Sequence, residues 1–228
     1  KTVLDKIKTY DVKIQAYAAQ HKLLDAVKIG LHVLKLLGIT IPQKPTRFNV
    51  LVAYLRTRFA LVGKQPEFLI NLPEMTDPYK LATFRIGASM SFPLYWATPE
   101  LYPFLIFLGV NLSVKYGSAP ESSAGYCAYG AILCGGIGDI KSGFEFGKLG
   151  LRLSEKLNAK SAGVRTQLSY NVAIKHWKKN VRETLKPFEI GFQKCLEIGD
   201  LENAAGNACA YSYYSYFAGI ELPKLERK

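Results

Sequence analysis

Two related phrases decide the fold class of this chain: Ile137-Gly138-Asp139-Ile140-Lys141-Ser142-Gly143 and Ile198-Gly199-Asp200-Leu201-Glu202-Asn203-Ala204. Apolar residues at helical spacing precede each copy and small residues follow it, so each copy predicts a tight turn between two helices. A pair of helices that recurs along a chain is the unit of an α-helical repeat array. Such arrays leave an extended concave surface, which most often binds a protein or peptide.

A third hairpin can be aligned with these two at the start of its second helix. Its phrase Leu23-Leu24-Asp25-Ala26 is in register with Ile140…Gly143 and Leu201…Ala204. The spacing i, i+4, i+7 then places three trios each on one helix face: Ala26-Gly30-Val33, Gly143-Gly147-Gly150 and Ala204-Ala208-Tyr211. Since these residues are mostly small, we expect a neighbouring helix to approach each face closely.

The middle of the chain also shows helical patterns. Pro78 is suited to the first turn of a helix, which we expect to end near Met90. The stretch after Pro99 should form its antiparallel partner as far as Tyr116, and another helix is expected over Ala162–Lys178.

Sustained strand-like alternation is missing from the sequence, which favours an all-α fold. We predict a tetratricopeptide-like, right-handed superhelical array of about four to six antiparallel hairpins. Two of these hairpins should run from about Ser122 to Leu157 and from about Val181 to Ala218. Residues 1–228 are interpreted as a single helical-repeat domain and as a fragment of a longer chain.

The composition narrows the class of partner. Thirty Lys and Arg against eighteen Asp and Glu give a formal charge of +12, which favours acidic partners, nucleic acid or an anionic membrane surface. The basic residues are spread along the chain, so a solvated cationic surface is favoured over a nucleic-acid footprint. Prolines interrupt the most apolar stretch, Ile86 to Val114, so no membrane span is predicted.

The cysteines indicate a reducing compartment. Cys127, Cys134, Cys195 and Cys209 form no C-x-x-C pair and have no His at metal-ligand spacing. Each lies in a run that we expect to face a helix interface, where a free thiol behaves as a small apolar group. The expected location is therefore cytoplasmic.

Parts of the sequence resemble a known family. The small residues of the second helices resemble a tetratricopeptide-type repeat. Four further phrases carry a sharper resemblance: Leu36-Leu37-Gly38-Ile39 with Pro42, Leu72-Pro73-Glu74-Met75-Thr76-Asp77-Pro78, Leu112-Ser113-Val114-Lys115-Tyr116-Gly117-Ser118-Ala119-Pro120-Glu121-Ser122-Ser123-Ala124, and His176-Trp177. They resemble a helical region of very large, cyanobacterial-type signalling proteins that join serine/threonine kinase, AAA-type ATPase, GAF and histidine kinase domains.

The resemblance implies a regulatory interaction segment, similar to the superhelical sensor arms of signal-transducing ATPases. None of the catalytic motifs of that family falls within this chain, since it has no G-x-x-x-x-G-K-[ST], no H-R-D or D-F-G set and no phosphoacceptor His box. The parent activities therefore cannot be assigned to any residue here, and the segment itself is expected not to be an enzyme.

One group of basic residues is a candidate anion-binding site. Its members follow one another at the spacing of a single helix face: Lys175, Lys178, Lys179, Arg182 and Lys186. Trp177 and His176 lie beside this predicted basic stripe and could stack on a ligand or hydrogen-bond to it. The stripe supports an alternative function, a nucleic-acid or nucleotide-binding helical domain, although a solvated face is the favoured interpretation.

The densest aromatic cluster lies near the end of the chain and consists of Tyr211, Tyr213, Tyr214, Tyr216 and Phe217. These positions cover more than one helix face, so some of the rings should be exposed. We interpret the cluster as an interface to a following repeat of the parent chain rather than as a platform for a ligand.

Catalytic and metal-binding patterns are not found. His21, His32 and His176 are the only histidines, and none is paired with a second ligand or with a nucleophile. We therefore expect no cofactor and no metal, and an enzyme with an unrecognised site is the least favoured alternative. The predicted function is a non-catalytic protein-interaction or ligand-sensing arm of a multidomain kinase. Its partner would be a protein, a peptide or the flanking domains. A small-molecule ligand is an alternative, and nucleic acid is disfavoured.

Overall fold

The computed structural model describes residues 2–42 and 44–226, and every named element within this part of the chain is a helix. The α-helices are α1 (Val3–Ala19), α2 (Leu23–Leu36), α3 (Arg47–Leu61), α4 (Pro66–Ile70), α5 (Pro78–Ala97), α6 (Tyr102–Tyr116), α7 (Ser122–Ala131), α8 (Ile140–Lys156), α9 (Lys160–Ala173), α10 (Leu185–Glu197), α11 (Leu201–Phe217) and α12 (Leu222–Glu226). The predicted all-α class is confirmed.

The helices divide into two compact units, Lys1–Ser122 and Ser123–Lys228. In the first unit α1 and α2 pack on each other and on α5, α5 packs on α6, and α6 packs on α3. In the second unit α8 packs on α9, and α10 packs on both α9 and α11. The sequence was interpreted as one repeat domain, whereas the structure separates two units where α7 begins.

The two repeated phrases form the same turn. Gly138 and Gly199 have φ values of 83° and 73°, a left-handed conformation that ends one helix and that glycine adopts without steric cost. The next residue caps the following helix: a side-chain oxygen of Asp139 accepts from the Ser142 N–H at 3.1 Å, and Asp200 accepts from the Asn203 N–H at 3.1 Å. The prediction of two equivalent helix-to-helix turns is confirmed.

The glycine face of α8 lies against neighbouring helices, as predicted. A Cβ added to Gly143 would lie 2.6 Å from the carbonyl oxygen of Gly130, and one on Gly150 would lie 2.6 Å from that of Ser123, both on α7. A Cβ on Gly147 would lie 2.8 Å from the Tyr170 ring on α9. The three glycines therefore allow contacts that no side chain could permit.

The corresponding prediction for α11, that Ala204, Ala208 and Tyr211 form its closely packed face, is wrong. Ala204 is buried but Ala208 is exposed, and the helix instead buries Asn203 and Asn207. Asn207 donates to the Asn203 carbonyl oxygen at 2.8 Å and fills the space beside Gly191 on α10. The close approach of α10 and α11 is therefore made possible by Gly191 on α10. The face that α11 buries is not the face that the sequence predicted.

Two predicted helix ends are also wrong. The helix that begins at Pro78 does not end near Met90 but continues through Pro93 to Ala97. Met90, Pro93 and Leu94 are all buried. The packing of this segment outweighs the backbone hydrogen bond that proline removes. The helix expected over Ala162–Lys178 is α9, which ends at Ala173.

Candidate interaction surfaces

The predicted basic stripe is not formed, because its residues do not share a helix. After α9 the chain makes two 3₁₀ turns, Lys175–Trp177 and Val181–Thr184, separated by non-helical residues, and α10 begins only at Leu185. The prediction failed because the pattern of charges was assumed to lie on a continuous helix.

Most of these cations contact neighbouring groups of the second unit. Lys175 Nζ donates to the Glu183 carbonyl oxygen at 2.6 Å, and burial lowers the pKa of this amine despite the nearby Glu183 carboxylate. The Arg182 guanidinium donates twice to the Ala218 carbonyl oxygen, at 2.9 and 3.1 Å. Lys178 lies 4.9 Å from the centre of the Phe144 ring, and Lys186 pairs with Glu189 at 3.3 Å. The contacts of Lys175, Lys178 and Arg182 hold the irregular connection between α9 and α10 in place, whereas the Lys186 pair lies within α10.

The aromatic residues near the end of the chain divide into an inward and an outward group. The Tyr214 hydroxyl donates to the Val172 carbonyl oxygen, and its ring packs edge-on against Phe188 at 5.2 Å, so Tyr214 serves the packing of the second unit rather than an interface. Tyr213, Tyr216 and Phe217 are exposed, as the spread over several faces predicted. Tyr211 is half-buried.

His176 and Trp177 are also fixed by local contacts. Trp177 Nε1 donates to the Ala173 carbonyl oxygen at 3.1 Å, and the two rings lie 5.5 Å apart. Burial lowers the pKa of His176, more than its hydrogen bond to the Val172 backbone raises it. A neutral imidazole beside an indole suits packing more than the binding of an anion.

The described residues contain no group of three or more His, Cys, Asp or Glu side chains that could hold a metal ion. Within the same ranges no helix has both the length and the apolar character needed to cross a membrane.

Cys127, Cys134 and Cys195 are buried as predicted, and burial raises the pKa of each thiol. Cys209 is exposed, so the prediction that every cysteine faces a helix interface is wrong there.

The surface that the sequence analysis missed is on α3. One face of this helix packs on α6: Thr57 is fully buried and accepts from Asn111 Nδ2 at 3.0 Å, and the Tyr54 and Phe107 rings lie 6.1 Å apart. The opposite face carries four large apolar side chains that are exposed, and Val62, the residue that follows α3, continues the row. We call these five residues the α3 stripe: Phe48, Leu51, Leu55, Phe59 and Val62. Phe59 is the most exposed of them, at 78%.

The α3 stripe is narrow and lies between basic residues. At 3.6 residues per turn its members occupy an arc of about 80° and a length of about 21 Å. On the same helix, Arg47 and Arg58 lie beyond one edge of this arc and Arg56 beyond the other, and all three are exposed. Residues 26–66 contain no Asp or Glu and seven basic residues: Lys28, Lys35, Lys44, Arg47, Arg56, Arg58 and Lys64.

A cavity of about 410 Å³ lies beside the stripe, within the first unit. It is an open depression lined by the segment 39–42, by α3 through Phe48, Val52 and Arg56, and by α6 through Phe104 and Phe107. Polar and apolar groups contribute about equally to its surface, and Arg56 is among the polar residues. The space is large enough for an aromatic side chain of a molecule bound along the stripe.

Comparisons with known proteins give no relative from which a site could be transferred. No family model matches the chain, and neither curated proteins nor solved structures contain a match. The candidate surfaces are therefore assigned from their own geometry.

Proposed function

We propose that this chain is a non-catalytic protein-interaction module, and that the α3 stripe is its principal contact surface. The observation that carries the proposal is that α3 is apolar on two opposite faces, of which α6 covers only one. An apolar face on a helix is normally packed against a core. The α3 helix therefore has a second face suited to packing, which we propose another molecule or domain covers.

The energetics favour this interpretation over an accidental patch. Full burial of an exposed Phe or Leu side chain is worth about 1.5–3 kcal/mol, and the stripe residues would gain the part of this that corresponds to their exposed area. Single exposed apolar residues are common on soluble proteins, but a contiguous row on one helix face marks an interaction site. The exposed rings of Tyr213, Tyr216 and Phe217 offer a second apolar surface, on α11.

The wider proposal places this module in a signalling protein. The four phrases quoted above resemble the helical region of cyanobacterial-type multidomain kinases, and the turns at Gly138 and Gly199 match the repeat expectation. We therefore propose a tetratricopeptide-like regulatory arm in the cytoplasm, which binds a protein, a peptide or a flanking domain without a cofactor. Binding would favour one conformation of the parent protein through its differential affinity for that conformation.

The test compares the accessibility of the stripe in the isolated chain and in the native full-length protein. Because Cys209 is the exposed cysteine of the described residues, a Cys209→Ser background leaves the buried thiols slow to react with a maleimide. Phe59→Cys in this background should react rapidly with maleimide in the isolated chain and at least about tenfold more slowly in the host cell. A decrease of at least about tenfold in the labelling rate means that a partner covers the thiol at residue 59 in about nine tenths of the molecules or more.

Gln20→Cys is the matched control, because Gln20 is exposed in the turn between α1 and α2, away from the stripe. Its labelling rate should be the same in the isolated chain and in the cell. Equal rates for Phe59→Cys in both settings would show that nothing covers the α3 stripe and would contradict the proposed function.

Nucleic-acid binding is expected to be weak. The predicted basic stripe is not on one helix, and several of its cations already contact the protein. We expect the isolated chain to bind mixed-sequence DNA or RNA in the non-specific range of about 10⁻⁴–10⁻⁶ M at physiological salt. A fluorescence-anisotropy titration that gives a Kd tighter than about 1 μM would favour the nucleic-acid alternative.

A further inference from the structure

We propose that the depression beside the α3 stripe binds the C-terminal residue of a polypeptide partner, with the terminal carboxylate at Arg56 and an apolar side chain against the aliphatic and aromatic part of the wall. This inference rests on the proposed function, since it identifies the part of the partner that is recognised. It follows from the charge of Arg56, from an acceptor on Asn111 and from the residue types that line the depression.

Arg56 supplies the group that would hold a carboxylate. Its side chain is exposed on α3, lines the depression, and forms no hydrogen bond, ion pair or ring contact with another described residue. Arg182 differs, because its guanidinium already donates twice to the Ala218 carbonyl oxygen. A guanidinium presents its N–H groups in one plane and can bind a carboxylate through two parallel hydrogen bonds. Arg56 is therefore available to an anion that enters the depression.

The rest of the wall suits an apolar side chain. The α3 helix contributes Phe48 and Val52, α6 contributes Phe104 and Phe107, and the segment 39–42 adds two isoleucines and a proline. The volume of about 410 Å³ lies within the range of sites that hold small ligands. Because these apolar groups line the same depression as the arginine, the matching ligand has an apolar body and a carboxylate.

Asn111 on α6 adds an acceptor that lacks a donor. Its Nδ2 donates to Thr57 Oγ1 at 3.0 Å, and Thr57 Oγ1 donates to the Ala53 carbonyl oxygen at 3.1 Å, so these two bonds fix the orientation of the amide. No described residue donates to Asn111 Oδ1, which is buried. A buried acceptor without a donor is costly, so a ligand N–H that reaches it is favoured. Since Asn111 is half-buried and lines the depression, we expect this N–H to come from the ligand that Arg56 holds.

The charges of the wall favour a peptide N–H over an ammonium group. The described residues that line the depression include one arginine and no Asp or Glu. A free amino acid would bring its ammonium group close to this arginine with no carboxylate of the protein to balance it, which is unfavourable. In the last residue of a polypeptide the same nitrogen belongs to a neutral amide. A carboxylate, an apolar side chain and a neutral N–H occur together in that residue.

The depression is continuous with the α3 stripe through Phe48, which belongs to both. A partner whose last residue lies in the depression would place its preceding residues on the stripe. An extended chain advances about 3.3 Å per residue, so about six residues would follow the stripe over its length of about 21 Å. The carboxylate would fix the register of this contact, because a polypeptide has only one C-terminus.

The test uses pools of heptapeptides with an acetylated N-terminus, six randomised positions and one defined last residue. Each pool is made with a free carboxylate and, as its uncharged counterpart, with a carboxamide. Retention by the immobilised whole chain is measured by mass spectrometry. We expect free acids that end in Leu, Ile or Phe to be retained at least about tenfold better than the corresponding carboxamides, because a hydrogen bond to a charged group is stronger than one to a neutral group. Acids that end in Lys or Asp should be retained less well, and salt should weaken the preference for the acid.

Variants of the chain identify the site. Arg56→Gln should reduce the retention of the acid pools to that of the carboxamide pools, whereas Arg56→Lys should keep part of the preference because the charge is retained. Arg47→Gln is the matched control, since Arg47 is exposed on the same helix and does not line the depression. It should leave the preference unchanged. Circular dichroism checks that each variant is folded, as expected for exposed positions.

The contact with Asn111 is tested with the best-retained peptide. An ester in place of its last amide removes the N–H and should weaken binding about two- to tenfold. An ester that binds as tightly as the amide would overturn the choice of a peptide over other carboxylates.

Other outcomes overturn the proposal as a whole. Equal retention of acids and carboxamides, no retention of either, or equal losses in Arg56→Gln and Arg47→Gln would exclude a C-terminal residue in the depression. Decanoate provides an amphipathic acid without a peptide bond, and decanoate binding that requires Arg56, with no preference among the peptides, would assign the depression to such an acid instead. Phe59 does not line the depression, so slow maleimide labelling of Phe59→Cys in the cell would still support the interaction function. The two proposals can therefore fail separately.

Discussion

Gly143→Leu is expected to lower the free energy of unfolding of the second unit by about 3 kcal/mol, near the upper end of the overpacking range. The added side chain would begin at a Cβ that lies 2.6 Å from the Gly130 carbonyl oxygen and 3.0 Å from the Cys134 backbone nitrogen. Backbone atoms cannot move aside as a flexible side chain can, so the helices must separate. Urea unfolding followed by Trp177 fluorescence, in a Trp96→Phe background, measures the second unit by itself, because the chain has only these two tryptophans.

Gly125→Ala is the matched control, because an added Cβ there meets no atom within 4 Å and Gly125 lies inside α7. It should raise the stability by about 0.5–1 kcal/mol, since alanine has the higher helix propensity. If both substitutions changed the stability by the same amount, the close crossing of α7 and α8 would not exist.

Arg85→Met is expected to destabilise the first unit by about 1–2 kcal/mol, less than for a fully buried ion pair because the Arg85 side chain is 48% exposed. Asp11 on α1 is 5% exposed, and its carboxylate accepts from Arg85 Nε on α5 at 2.6 Å as well as from Ser89 and Gln15. Removal of the guanidinium leaves a buried negative charge without its counterion, which costs more than the pair itself contributes. The effect should be visible in urea unfolding followed by Trp96 fluorescence, in a Trp177→Phe background.

A double-mutant cycle separates the charge from the packing. The double variant Asp11→Leu/Arg85→Met should be less destabilised than the sum of the two single variants, because no unpaired charge remains. Additive effects would show that the two side chains do not interact in the folded protein.

The parts of the fold that local chemistry dictates could be predicted from the sequence. A glycine followed by Asp is enough to end one helix and cap the next, so the turns at Gly138 and Gly199 were found without knowledge of the packing. The face that a helix buries was harder to predict. In α11 the close approach depends on Gly191 of the preceding helix, which the pattern of α11 itself does not contain.

The candidate site could not be predicted in the same way, because the exposed and buried faces of α3 are both apolar. Hydrophobic periodicity shows which face is buried only when the opposite face is polar. The signal that the sequence did contain was the run from residue 26 to residue 66 without a carboxylate. The predicted basic stripe failed for a related reason: the spacing of Lys175 and Arg182 indicates a shared face only if the residues between them are helical, and here they are not.

The most direct test of the interaction function is site-specific photo-crosslinking from the α3 stripe in the native full-length protein. A photoreactive phenylalanine analogue at Leu55, which lies in the middle of the stripe, is irradiated in the host cell, and the attached molecule is sequenced by mass spectrometry. The proposed function predicts attachment of Leu55 to a single polypeptide segment, which the same analogue at Gln20 should not capture. Attachment to lipid or nucleic acid, or no adduct at Leu55, would contradict the account.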